Sequence, residues 1–490
     1  MNINLKIRDS WFIFTFIISF IILYFIFLIN SYVIPEGYEI PIIPFIGFAL
    51  IIIGFFYFFI KLNPERKKIY TFNYRGLNEN SFKILLVILM VFTYIIEPIT
   101  FSDTIIDWNQ ISFLNYFRAV IFLLGAAFIP GSCIFSILFS NSSLQKRFKI
   151  EPFFFKLTFY PIISFTFLGS LTLILDQLGL IRQLFPFILF LIIFLVLIID
   201  LTFQKYRGKK LSFIEKTEFK VSRNTLFILY FALSIIIITL GMQLHRNYLV
   251  ITDYYIAINY SSFIGDINTT SKFYTSTIYW SYISFSFSAL CGIPVVNVNV
   301  MFFPFIYLVI FSLYLFIKAL LRSFNESYAV LGAILAVTFS SLFDIFHYYS
   351  RRERATMFVY NGLFDFWYKS FALVFFIFSM ALFINIIMAP KFNEKELNPK
   401  NNVFLNIFLS AFILIQSFMI HFLPTIPALS LVFLFLLFMY KKEDVFKKYL
   451  ICFIIIHEER EQPCLFIMVF LIFGIKVLHL FSLFFQWLYL

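Results

Sequence analysis

The sequence predicts an all-α, polytopic integral membrane protein of about 12 to 13 transmembrane helices, and three observations lead there. Of 490 residues, 61% are hydrophobic and only 13% are charged, a composition whose folding solvent is lipid. Apolar runs of about 17 to 25 residues, enough to cross a hydrocarbon core of roughly 30 Å, recur along the chain. The Lys and Arg residues concentrate in alternate loops between those runs, as the positive-inside bias requires.

The runs lie near 11 to 29, 42 to 60, 84 to 99, 113 to 139, 155 to 175, 184 to 203, 225 to 244, 296 to 317, 328 to 345, 370 to 389, 403 to 420 and 425 to 440. The first follows Lys6 and Arg8 as a signal peptide would. No small-residue cleavage site succeeds it, so it reads as a retained helix. With the N-terminus inside, the inner loops are 61 to 83, 140 to 156, 204 to 223, 318 to 327, 390 to 402 and 441 to 448. Together with Lys6 and Arg8 they hold 28 Lys and Arg, against 7 in the outer loops. Acids without Lys or Arg mark two outer loops, Glu36 and Glu39 in one, Asp103 and Asp107 in the other. The expected location is the cell membrane, multi-pass, with the N-terminus cytoplasmic.

Three regions follow from this reading. Residues 1 to 220 form an N-terminal six-helix module, and residues 221 to 448 form a second transmembrane core with a long outer loop at 245 to 295. The basic stretch Gln204 to Arg223 links the two. Residues 449 to 490 are poorly patterned, and read either as a truncated end or as an interfacial turn before a thirteenth span.

The formal net charge of +12 would point to nucleic acid in a soluble protein. Here it reports orientation in the bilayer, and no nucleic-acid partner is expected. Cys133, Cys291, Cys452 and Cys464 have no metal-ligand spacing. No His-Glu-x-x-His or similar cluster occurs, so a divalent metal is compatible with the chain but not indicated by a motif.

Function is expected in the outer loop of about fifty residues after Leu244, because long ordered loops usually exist for binding or catalysis. It carries His245, Arg246, Asp253, Asp266 and Lys272. The aromatic and hydroxyl stretch from Phe273 to Tyr282 is predicted to lie as an interfacial helix, as Tyr and Trp prefer. Asp253, in Thr252-Asp253-Tyr254-Tyr255, is an ionised acceptor at neutral pH, competent to take a proton from a hydroxyl or to hold a metal. The competing reading makes it the cap of a helix from Tyr254.

A second outer feature is His347-Tyr348-Tyr349-Ser350-Arg351-Arg352-Glu353-Arg354. Arg351, Arg352 and Arg354 stand on the side where positive charge is disfavoured, and clustered guanidinium groups match phosphate oxygens. With His347 they are the candidate lipid-phosphate ligands, against a reading as a solvated charge cluster around Glu353. His245, His347 and His421 share the outer side with Asp253. His245, His421 and Asp266 are possible accessory residues. Glu97 and Arg118 lie within or near spans, where a charge is costly, and are expected to pair with each other or to face a polar cavity.

The segment His245-Arg246-Asn247-Tyr248-Leu249-Val250-Ile251-Thr252-Asp253-Tyr254-Tyr255 resembles the first extracytoplasmic loop of the GT-C superfamily of membrane glycosyltransferases. The stretch Trp280 to Pro294, ending Ala289-Leu290-Cys291-Gly292-Ile293-Pro294, resembles the segment before their next span. Phe122-Leu123-Leu124-Gly125-Ala126-Ala127-Phe128-Ile129-Pro130-Gly131 resembles the N-terminal module of archaeal multi-pass membrane proteins that pair it with a GT-C-like core. The resemblance implies transfer of a sugar from a polyprenyl-phosphate donor on the non-cytoplasmic face, with Asp253 as general base or metal ligand. A clear Asp-x-Asp and a C-terminal soluble domain, found in many members, are absent here. A transporter or lipid flippase and a surface-polysaccharide polymerase or ligase are the alternatives. Of the span prolines, only Pro186 and Pro427 occupy matching places in the two halves, a weak trace of the repeats expected of transporters.

Overall fold

The computed structural model describes residues 69 to 96, 113 to 139, 152 to 181, 184 to 208, 214 to 229, 231 to 233, 278 to 293, 301 to 321, 326 to 334, 368 to 387 and 399 to 420, with 236, 295, 298, 336 and 337. The chain divides into two compact units, Met1–Leu429 and Ser430–Leu490, and every described residue lies in the first.

The described part is mostly helical. Strand β1 (Ile69–Leu77) precedes α1 (Glu79–Ile96). Helix α2 (Phe113–Ile134) runs on into a π-helical turn, Phe135–Phe139, and is followed by α3 (Pro152–Gln177), α4 (Phe185–Tyr206) and strand β2 (Ile214–Ser222). Helix α5 (Ile278–Cys291) comes next, then a 3-10 turn, Phe303–Ile306, that leads into α6 (Tyr307–Leu320), and finally α7 (Tyr368–Ile387) and α8 (Pro399–Ile420). Four of these helices are long and apolar enough to cross a membrane: Glu79–Ile96, Asn115–Leu138, Phe153–Gln177 and Phe185–Tyr206. Large apolar side chains remain exposed along them, among them Phe92 and Ile95 of α1 and Leu195 and Ile199 of α4, as a lipid-facing surface requires. These helices fit a membrane-embedded protein.

Local chemistry sets the helix limits. Asn78 caps α1, its Oδ1 accepting from the backbone N–H of Ser81 at 2.8 Å and from the Ser81 hydroxyl at 2.9 Å. Pro152 opens α3 and Pro186 stands in the first turn of α4, where a missing N–H leaves no intrahelical bond unmade. Gly179, at φ 66°, closes α3. The N–H of Leu180 reaches back to the Leu175 carbonyl and that of Gly179 to Asp176, a turn that needs a left-handed residue.

Helix α3 is the hub. The ring of Phe165 lies 5.2 to 5.6 Å from Phe287, Phe302, Phe305 and Phe371, so one α3 side chain gathers α5, the turn before α6, and α7. Where α2 crosses α3, a Cβ added at Gly131 would stand 2.0 Å from the Tyr160 carbonyl oxygen. Only glycine permits that approach, and the Gly131 N–H donates to the Ser164 hydroxyl at 2.8 Å. Helices α7 and α8 run antiparallel. Ser379 and Ser410 exchange hydrogen bonds to each other's carbonyl at 2.7 and 2.9 Å, and Ser417 donates to Ala372. Such hydroxyl bonds join helices where no hydrophobic force acts between them.

Two findings depart from the sequence reading. The inner segments 61 to 83 and 204 to 223, expected as loops, contain β1 and β2, which pair antiparallel from Ile69 opposite Ser222 to Leu77 opposite Ile214. The supposed linker therefore returns to the start of the described chain, and helices on both sides of residue 220 pack together. The stretch expected as an interfacial helix is instead, over its described part, the start of α5. Every residue from Tyr279 to Phe287 is buried, and the Tyr279 and Tyr282 hydroxyls find partners on α3 instead of in water.

Candidate polar sites at the two ends of the helical unit

Four of the basic segments meet at one end of the unit. The pairing of β1 with β2 joins the first and third. Lys156 at the start of α3 contacts Glu79 at the start of α1, Nζ to Oε2 2.6 Å, which adds the second. The ring of Tyr314, one turn before Lys318, packs edge-on against Phe154 at 5.1 Å, and Asn224 donates to Ser327 at 3.3 Å; these add the fourth. Lys318 itself pairs with Glu326 at 2.5 Å, and the Tyr314 hydroxyl shares that carboxylate.

At the same end lies a buried charge network. Lys83 Nζ and Asp200 Oδ2 are 2.7 Å apart, with side chains 4% and 0% exposed. The other Asp200 oxygen accepts from Gln204 Nε2 at 2.9 Å. Asn80 and Gln204 exchange amide hydrogen bonds at 2.7 and 3.2 Å. The Cys133 thiol, in the last turn of α2, lies beside the same carboxylate. Next to this network the Tyr160 hydroxyl donates to Glu79 Oε1 at 2.8 Å. A carboxylate and an ammonium closed off from water hold each other charged, and neither tolerates loss of its partner.

The 21 residues from Lys156 to Asp176 carry α3 about 30 Å, the thickness of a hydrocarbon core. At that far end Asp176 accepts the Tyr282 hydroxyl at 2.6 Å. Nearer the middle, Gln416 Nε2 donates to Ser170, at 2.9 Å. The hydroxyls of Ser170 and Tyr279 are 2.9 Å apart, and Tyr279 donates to the Thr166 carbonyl at 2.8 Å. Since Tyr279 spends its proton on Thr166, Ser170 is the donor to Tyr279. The chain Gln416, Ser170, Tyr279, Thr166 thus runs in one direction across α8, α5 and α3. The Gln416 Oε1 and Thr166 Oγ1 atoms are buried without a hydrogen-bond partner.

The residues chosen from the sequence, His245, Asp253, Asp266, His347, Arg351, Arg352, Arg354 and His421, lie outside the described residues, as does Glu97. Arg118 is described: it is buried, and its Nε donates to the Cys291 carbonyl at 3.3 Å. Among the described residues no group of three or more His, Cys, Asp or Glu is placed to hold a metal ion. Sequence reasoning missed Lys83, Asp200, Asp176 and Tyr282. The available signal was Asp200, a lone acid inside the apolar run from 184 to 203.

Comparison of the chain with protein-family models, with curated proteins and with solved structures finds no match.

Proposed function

We propose that this is a polytopic membrane glycosyltransferase of GT-C type, transferring a sugar from a polyprenyl-phosphate donor to an acceptor on the non-cytoplasmic face of the cell membrane. The observation that carries the reading is sidedness. Four Lys- and Arg-rich segments gather at one end of the unit, through the β1 and β2 pairing, Glu79 with Lys156, Phe154 with Tyr314, and Asn224 with Ser327. Under the positive-inside bias that end is cytoplasmic. The alternation of spans then assigns the long loop, with Asp253, and the Arg351, Arg352, Arg354 and His347 cluster together to the opposite face.

In this reading the Asp253 carboxylate takes the proton of an acceptor hydroxyl, whose oxygen bonds to the anomeric carbon as the sugar's bond to the lipid phosphate breaks. The three arginines and His347 stabilise the charge left on the phosphate, so the acceleration comes from positioning and electrostatics. His245, Asp266 and His421 stand as accessory groups on the same face. The test is sugar transfer in membranes supplied with polyprenyl-phosphate sugars: Asp253→Asn abolishes transfer while insertion is preserved, and full transfer by that variant refutes the assignment.

One observation favours a second reading, a transporter or flippase: the Lys83 and Asp200 pair is buried inside two candidate spans, where ionisable groups commonly mark a transport path. Thermal stabilisation by polyprenyl phosphate separates a transferase from a carrier of unrelated solutes, and sugar transfer separates it from a flippase. A transferase is stabilised, and a carrier of unrelated solutes is not.

A further inference from the structure

We propose that α1 is a gate at the β1–β2 end of the unit, latched shut by Lys83 on Asp200, and that its opening uncovers a polar lining made by α2 and α4. The latch is built at one helix end. Within the first five residues of α1, Glu79 bonds Lys156 and Tyr160 of α3, Asn80 bonds Gln204 of α4, and Lys83 bonds Asp200 of α4. Of the two ion pairs, that of Glu79 is a third or more exposed on both sides and holds little in water, so Lys83 is the buried tie. Further along α1, Phe82, Leu85, Ile88, Phe92 and Ile95 face outward and are exposed.

What α1 covers differs from an ordinary helix interface. The Asp200 carboxylate, the Gln204 amide and the Cys133 thiol meet beneath Lys83, a lining that accepts cationic and hydrogen-bond-donating groups. Beside that lining α2 is irregular, where it packs on α3. Pro130 lies inside the helix, the Gly131 N–H is spent on Ser164 of α3, and α2 ends in the π-turn Phe135–Phe139. Non-regular backbone at membrane depth is found where it lines a cavity or is buried in protein, and π-turns recur at functional sites. Because the Gly131 contact ties α2 to α3, α1 is the element whose departure uncovers Asp200, Gln204 and Cys133. The gate stands independently of the transferase reading.

Cys133 reports the opening, since its side chain is buried. In the full chain with Cys291, Cys452 and Cys464 replaced by Ser, a positively charged methanethiosulfonate reagent labels Cys133 slowly. Lys83→Met raises that rate at least about tenfold by shifting a local opening equilibrium. The charge-swapped variant Lys83→Asp with Asp200→Lys returns it to within about threefold of the starting rate, because the attraction is restored. A matched chain keeping only Cys291, buried between α2 and α5, is labelled at the same rate with or without Lys83→Met. Should Lys83→Met not fold, Asn80→Ala, which leaves both charges in place, raises Cys133 labelling by about threefold, as loss of one neutral hydrogen bond allows. An unchanged Cys133 rate in the folded variant, or an equal rise at Cys291, overturns the proposal.

Discussion

Lys83 on α1 and Asp200 on α4 meet at 2.7 Å with both side chains closed to solvent. They are 117 residues apart in sequence, and each sits within one turn or two of a basic segment that the alternation of charges assigns to one face. The pair fixes the start of α1 against the end of α4, the same end at which β1 and β2 join.

Removing one member strands the other. Lys83→Met is expected to cost about 3 to 5 kcal/mol, as for other broken buried pairs, whereas Lys83→Met with Asp200→Leu costs less than Lys83→Met alone. Denaturant titration in detergent, arranged as a double-mutant cycle, measures the coupling. Additive effects of the two substitutions would show that the ion pair contributes nothing.

The crossing of α2 and α3 admits no side chain. Gly131→Ala would place a methyl group 2.0 Å from the Tyr160 carbonyl, and an overpacked contact of this kind costs about 1 to 3 kcal/mol or more. Ser164→Ala leaves the Gly131 N–H without its acceptor and is expected to cost about 1 to 3 kcal/mol. Thermal denaturation ranks both below the parent chain; a Gly131→Ala protein of unchanged Tm would mean the helices lie further apart.

At the opposite end of α3, Tyr282→Phe removes the hydroxyl that Asp176 accepts and leaves a buried carboxylate short of one donor, an expected loss of about 1 to 3 kcal/mol. Asp176→Asn, which keeps an acceptor oxygen for the phenol, is expected to be the milder change. The reverse order in a melting series would show that Tyr282 is not the partner that matters.

Sidedness is open to direct chemistry. In a chain lacking its native cysteines, Cys placed at Lys209 or Asn401 is expected to react only with reagent supplied at the cytoplasmic face. Cys at Asp266 or Arg352 is expected to react only from the other face. Reaction of Asp266 and Arg352 positions from opposite faces would separate the acid-bearing loop from the arginine cluster and remove the basis of the transferase reading.

Much of the helical layout could be read from the chain. The run expected at 370 to 389 is α7, Tyr368–Ile387, and that at 113 to 139 is α2 with its π-turn, because uninterrupted apolar sequence of that length has few other solutions. The strands were not legible. Ile69-Tyr70-Thr71-Phe72-Asn73-Tyr74 alternates as a strand does, but it lies among basic residues between spans, where a loop is the simpler reading. Nor was the burial of α5 legible: Tyr279, Ser281, Tyr282 and Ser284 look like a helix at a water boundary until Thr166, Ser170 and Asp176, from a distant part of the chain, supply hydrogen-bond partners for its two tyrosines. Lys83 and Asp200 sat near the expected limits of their spans, and nothing local in either segment shows that they meet.

The most direct test is transfer of labelled sugar from a polyprenyl-phosphate donor by membranes containing the full chain, with Asp253→Asn as the matched variant. The account predicts incorporation by the parent chain and loss of about 10²-fold or more in the variant, the scale of a missing general base, at equal protein in the membrane. Equal incorporation by the two proteins, or none by either across the polyprenyl-linked sugars, would contradict it.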